Sequence, residues 1–201
     1  MTHPVDTLVL VLQVWVDDMY MGTAVLVAWA RLSGEVEHLE YAGRQLVAMA
    51  GHLTGEDGWL HHGYSHYTGA TRVVIVLYTA PHSTHPGAGG QVSCCVWGRG
   101  HGWAVLATTE LLAAAAELGL DTEVVAAVTS LYRRHARLLL GAQSEDTGLW
   151  HNILTDAETF TETSASAMFL TGTLLHISYH VCISLSRYLV YLVSGVYWTP
   201  H

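Results

Sequence analysis

Four stretches of this chain repeat apolar residues at α-helical spacing, each closed by a helix stop, and that pattern limits the fold more than anything else in it. Val25, Ala28, Trp29 and Leu32 share one face before Ser33-Gly34. Leu39, Ala42, Leu46, Met49 and Leu53 form a second stripe, with Glu35 and Glu37 near the first turn, where the helix dipole favours acids. A third helix is expected from about His101 to Leu118, stopping at Gly119. A fourth opens at Asp121-Thr122, stacks Val124, Val128, Leu131, His135 and Leu138, and stops at Gly141. A fifth is expected to start at a Thr163-Ser164 cap and run through Ala167 and Leu170. Short connections make successive helices antiparallel neighbours, so the expectation is an all-α set of helical hairpins.

An internal echo strengthens this reading. Glu56-Asp-Gly-Trp-Leu-His61 and Glu145-Asp-Thr-Gly-Leu-Trp-His151 each follow an apolar helix and carry a glycine, two large apolar residues and a histidine. A helix, a loop of fixed chemistry and another helix is the signature of a toroid built from repeated hairpins. Two stretches do not fit. Residues 67–92 hold Val73-Val-Ile-Val-Leu-Tyr78, a strand-like run, and then a Pro-, Gly- and His-rich loop. From about Thr171 onward, β-branched and aromatic residues crowd in without a clean helical stripe.

Composition removes several function classes. With 51% hydrophobic and 12% charged residues among 201, the chain reads as one domain with a proper core. A formal charge of -9 with eight Lys plus Arg argues against nucleic acid, and any pocket for an acid must be made locally. Cys94, Cys95 and Cys182 form no disulfide framework and are expected to be reduced. The apolar start lacks a basic segment and a small-residue cleavage site, so no signal peptide is read and the expected compartment is the cytoplasm. Near the end, Leu174–Trp198 has the hydropathy of a membrane span, but His176, His180 and Arg187 interrupt it before about 18 apolar residues accumulate; no membrane partner is expected.

The residues best suited to chemistry lie in Trp97-Gly-Arg-Gly-His-Gly-Trp103, read as a glycine-hinged turn at the mouth of a helix. Indole faces bind the apolar faces of sugar rings, and a planar, permanently charged guanidinium grips a carboxylate in bidentate fashion. Together Trp97, Arg99 and Trp103 suit an acidic sugar, although an arginine snorkelling over two core tryptophans is the competing reading. Val14-Trp-Val-Asp-Asp-Met-Tyr-Met21 sets two carboxylates between aromatic and thioether side chains at a helix start. Asp17 and Asp18 stand about 100° apart on a helix, so both cannot serve one point. One of them is either an N-cap, which lowers its pKa, or a general acid whose pKa desolvation by Trp15 and its acidic neighbour raise. His61, His62, His66, His82 and His85 form the one metal-like cluster, without carboxylate or thiolate at ligand spacing; sugar hydrogen bonding and a plain surface loop are the alternatives to zinc.

Several motifs in one order make the chain similar to a known group. Trp15-Val-Asp-Asp-Met-Tyr-Met21, Gly58-Trp-Leu-His-His62, Ser93-Cys-Cys-Val-Trp-Gly-Arg-Gly-His-Gly-Trp103, Gly148-Leu-Trp-His151 and Glu162-Thr-Ser-Ala-Ser-Ala-Met-Phe169 resemble glycoside hydrolase families 88 and 105, the unsaturated glucuronyl and rhamnogalacturonyl hydrolases. The resemblance covers roughly residues 13–170 of what is read as a single domain over 1–201. It implies an (α/α)6 toroid, here incomplete, with no metal or organic cofactor, acting on an oligosaccharide that ends in a 4,5-unsaturated uronic acid. It further implies that Asp17 protonates the vinyl ether carbon and activates water, that His62, Trp97, Arg99 and Trp103 line the sugar site, and that Trp15 supports it.

The departures are also informative. The resemblance implies a second acidic residue upstream of Asp17 and an acidic or amide residue where Ser65 stands, and the match fades beyond Phe169. Two other readings therefore stand beside the hydrolase: a sugar-binding remnant without turnover, and a histidine-rich metal protein.

Overall fold

α4 (Gly98–Glu117) is the hub of the fold, packing on five other helices, and its sequence explains why. Alanines and small polar residues surround Leu111 and Leu112, so the helix is buried nearly all round instead of along one stripe. The protein is described by a computed structural model over residues 12–66, 90–92 and 95–178. The Val73–Tyr78 run, Cys94, Cys182, His82, His85 and the greater part of the Leu174–Trp198 stretch lie outside the described residues.

In chain order the elements are β1 (Leu12–Trp15), α1 (Asp18–Met21), α2 (Ala24–Ser33), α3 (Val36–Leu53), β2 (Gly63–His66), β3 (Gly90–Val92), α4, α5 (Glu123–Gly141) and α6 (Thr163–Ser178). Two of the expected hairpins are present, α2 on α3 and α4 on α5; α6 packs far more extensively on α4 than on its predecessor α5. α3 buries Leu39, Ala42, Leu46, Ala50 and Leu53, much as its stripe predicts. Each such leucine contributes about 1.5–3 kcal/mol on leaving water. Two helix pairs meet at glycines. A Cβ on Gly43 would lie 2.4 Å from Val124 of α5, and one on Gly172 would lie 2.4 Å from Val105 of α4.

The helix stops fall where expected: Gly34 takes φ 77° after α2, and Gly119 takes φ 67° just beyond α4. Thr122 caps α5 by accepting the Val125 N–H at 3.4 Å.

Four expectations need correction. The α2 stripe faces outward, with Val25 73%, Trp29 52% and Leu32 83% exposed, while Val27 and Ala30 make the buried side. α2 is apolar on both faces, so periodicity alone does not choose between them. α4 begins at Gly98, so Gly98, Gly100 and Gly102 are helical residues and not a hinge. α6 continues to Ser178 through the stretch that lacks a helical stripe, because Gly172 and buried Thr173 fit it closely against α4. Its cap is Glu162, one position before the expected one, whose carboxylate accepts the Ala165 N–H.

The helices carry one small addition, an antiparallel sheet in the order β1-β2-β3. Trp15 pairs with Gly63, where a Cβ would lie 3.0 Å from the indole.

Candidate active site

Two loops with the same build hold the segment that carries Trp97 and Arg99. In the first, Gly55 N–H donates to Trp59 O (2.9 Å) and Gly58 sits at φ 82°, with a bridge between Thr54 and Leu60. In the second, Ser144 N–H donates to Leu149 O (2.9 Å) and Gly148 sits at φ 66°, with a bridge between Gln143 and Trp150. These are the two echoed sequences.

The chain leaving each loop grips residues 95–98 from opposite ends. His62 N–H donates to Cys95 O (3.1 Å), while Gly98 N–H donates to Asn152 O (2.8 Å) and Leu154 N–H to Val96 O (2.9 Å). The alternating glycines of α4 follow from this bracket. A Cβ at Gly98 would lie 2.9 Å from His151 O, one at Gly100 2.4 Å from Val16, and one at Gly102 2.5 Å from Met168 Sδ. Each absence lets a different neighbour approach: the second loop, the Asp17 segment and α6.

The two adjacent carboxylates divide their tasks. Asp18 accepts the Trp15 N–H at 2.8 Å, closing the turn from β1 into α1. Asp17 stands at the N-cap position of α1 but makes no capping bond through its side chain. Its Oδ2 instead lies 3.5 Å from His62 Nε2. Because Val16 N–H is bonded to His62 O (2.9 Å), backbone pairing sets that approach.

From His62 an unbroken aromatic run leads to the guanidinium. The imidazole meets Trp15 edge-on at 5.1 Å and Trp97 at 4.8 Å between centroids. The Arg99 guanidinium lies over Trp97 at 4.4 Å, and the side chain is 44% exposed. One turn along α4, Trp103 packs on Tyr20 at 5.1 Å, and Tyr20 N–H bonds to Asp17 O (3.0 Å). The Tyr20 hydroxyl donates to Glu110 at 3.3 Å; burial, and then the Glu110 charge, raise its pKa above the ordinary 10.0. Asp17, Trp15, His62, Trp97, Arg99 and Trp103 are therefore joined through contacts of two short segments and the first turns of α4.

Among the described residues, the two adjacent histidines take different acidic neighbours: His61 lies 3.6 Å from Asp57, and His62 3.5 Å from Asp17. Among the described residues, no three histidine, cysteine, aspartate or glutamate side chains converge as metal ligands would. His101, inside the arginine-bearing motif, points inward: its Nε2 donates to Leu60 O at 2.9 Å, so Nε2 carries the proton. Burial pushes its pKa down to about 4, and burial likewise lowers that of His135, whose ring is 5.6 Å away. An open groove of about 470 Å³ between α3 and α5 is lined by Val47, Thr54, Ser130 and Arg134 among others, and by none of Asp17, Trp15, His62, Trp97, Arg99 and Trp103.

Two residues take parts that the sequence does not assign them, Asp18 as a turn-closing acceptor and Glu162 beside Arg99. Glu162 had a signal: it stands directly before Thr163-Ser164, where a helix start calls for an acceptor.

The same arrangement of helices occurs in solved structures. A family 105 glycoside hydrolase from C. acetobutylicum ATCC 824 superposes with a TM-score of 0.69 at 22% identity, covering 91% of this chain and 48% of that one. A family 88 glycosyl hydrolase from Bacteroides vulgatus gives 0.66 at 22%, covering 90% and 47%. The unsaturated glucuronyl hydrolase from Bacillus sp. GL1 gives 0.60 at 17%, covering 92% and 45%. The hairpins thus form part of an all-α toroid, and the chain spans about half the length of the structures it matches. No curated protein matches it by sequence. The profile of Glycosyl Hydrolase Family 88 matches residues 7–179, past the point at Phe169 where the motifs fade, and the chain belongs to that family.

Proposed function

We propose that this protein is a glycoside hydrolase acting on oligosaccharides that end in a 4,5-unsaturated uronic acid. The observation that carries the reading is the run Asp17–His62–Trp97–Arg99, an acid and a guanidinium joined by an aromatic wall. The carboxyl of Asp17 delivers its proton to C4 of the vinyl ether. The resulting carboxylate takes a proton from water as the water oxygen bonds to C5, and the hemiketal so formed opens and releases the saccharide. No displacement at the anomeric carbon is involved, so the carboxylate-spacing rule of ordinary glycosidases does not apply. Arg99 meets the sugar carboxylate, Trp97 and Trp15 offer apolar surface beside it, His62 holds Asp17 in place, and Trp103 extends the wall. Kinship supports this: the Bacillus sp. GL1 neighbour is named for glycosaminoglycan degradation, and another neighbour for a complex with dGlcA-Glc-Rha-Glc.

The test is loss of the ultraviolet absorbance of the conjugated acid when the protein meets lyase-treated pectin or glycosaminoglycan. Asp17→Asn is expected to lower kcat by about 10²–10⁴-fold, the usual worth of a positioned general acid. An unchanged rate in that variant would overturn the assignment. Binding of the sugar without any absorbance loss would favour the remnant reading.

A further inference from the structure

Glu162 is held more firmly than a helix cap requires. Its N–H donates to Trp150 O at 2.7 Å, and its carbonyl accepts from Ser166 N–H at 3.2 Å and Ser166 Oγ at 2.9 Å. Its carboxylate accepts from the Ala165 N–H, and the single Ser164 hydroxyl proton is shared between its two oxygens, at 2.7 and 2.9 Å. The side chain is only 11% exposed. Capping occupies Oε2, and Oε1 reaches across to Nη1 of Arg99 at 3.4 Å.

That contact uses one nitrogen of the guanidinium. A carboxylate satisfying Arg99 in full would take two parallel N–H groups. Here the Nε–Nη2 edge makes no bond to Glu162, and the flat face lies on Trp97. A long side chain is thus restrained on two sides, by an anion at one corner and by an indole beneath, with one donor edge left over.

We infer that Glu162 is a positioning residue that holds Arg99 against Trp97 with its Nε–Nη2 edge turned to the carboxylate of the uronyl substrate. The inference rests on the proposed function for the substrate's identity, but not for the restraint itself. A restrained guanidinium loses little freedom when the anion arrives, so the effect falls on binding and not on the chemical step.

The test uses Glu162→Asn, since asparagine caps helices as well as acids do but is one methylene too short to reach Arg99. With unsaturated digalacturonate as probe, KM is expected to rise about tenfold while kcat changes less than about twofold, the pattern of lost uniform binding. In an Arg99→Ala background the same change is expected to have no further effect on KM. In the wild-type protein, rotation about the Arg99 Nε–Cζ bond is expected to be slow enough for separate Nη–H resonances, and in Glu162→Asn these resonances are expected to move and merge. A helix cap acting alone would leave both readouts unmoved. An unchanged KM, an equal effect without Arg99, or unmoved resonances overturn the inference. Should the wild-type protein leave the digalacturonate intact, the proposed function fails and the resonances alone decide: their change on substitution supports the restraint, and their constancy removes it.

Discussion

The two echoed loops share a backbone and differ in what they do with it. Both place a left-handed glycine at the tip, Gly58 and Gly148, and both end in a large buried residue, Leu60 and Trp150. The first is fastened by a side chain, His101 Nε2 on Leu60 O, and hands its next histidine to Asp17. The second is fastened by backbone and indole: Trp150 O accepts the Glu162 N–H, and Trp150 Nε1 donates to Leu139 O at 2.7 Å. Its histidine, His151, is turned to Thr159 O through Nδ1. The two copies share a scaffold, and the last one or two residues of each decide which partner it takes, a carboxylate for His62 and a backbone carbonyl for His151.

The comparison can be broken at its anchors. Trp150→Ala, at 1% exposure, is expected to cost about 3–5 kcal/mol in denaturant unfolding, through lost apolar burial and the lost indole bond to the Leu139 carbonyl. Leu60→Ala is expected at the lower end of the same range. A cost for Leu60 exceeding that for Trp150 would reverse the proposed order of anchors.

Acid separates the loops next. His101 is neutral in the folded state, with its pKa pushed from 6.5 to about 4, so the unfolded chain takes up the proton first. Stability is therefore complete above pH 6.5 and is lost as pH falls toward 4, by about 3 kcal/mol for this group as an upper figure. His135 shifts in the same direction, and His176 to about 4, each through burial. Hydrogen exchange is expected to show the amides around Leu60 opening at a higher pH than those around Trp150. Equal protection of both loops down to pH 4 would contradict the side-chain anchor.

His62, one residue beyond the first echo, and His151, at the end of the second, give a smaller contrast, in activity. His62→Ala is expected to lower kcat/KM by about tenfold or more, since it removes the ring between Asp17 and Trp97, worth about 1.4 kcal/mol per factor of ten. His151→Ala is expected to leave steady-state kinetics within about twofold. Smallest of all, Gly58→Ala and Gly148→Ala are each expected to cost about 1–2 kcal/mol for a side chain at positive φ, the similarity of the two values testing the backbone likeness of the loops.

What was legible in the sequence follows from where the physics is local. Helix starts and stops at Gly34, Gly119 and Thr122 rest on cap geometry, which neighbouring residues determine. The side to which α2 turns its apolar stripe is a tertiary matter, and a helix apolar on two faces carries no local sign of it. α6 was cut short at Thr171 because its fit to α4 comes from Gly172 and Thr173, neither of which a hydrophobic stripe would include. Among the candidate residues, Asp17, His62, Trp97 and Arg99 were legible as unusual chemistry in short motifs. The division between Asp17 and Asp18 was not, since it turns on one backbone N–H of Trp15. Glu162 escaped notice because its partner, Arg99, is distant in sequence.

The bracket around residues 95–98 has a consequence for variation. Main-chain bonds from His62, Asn152 and Val96 set the spacing between the acid and the guanidinium, as the jaws of a caliper are set by its frame and not by what they measure. Exchanging side chains carried on that frame then leaves the gap its width. Altering either loop changes the width without touching Asp17 or Arg99 themselves.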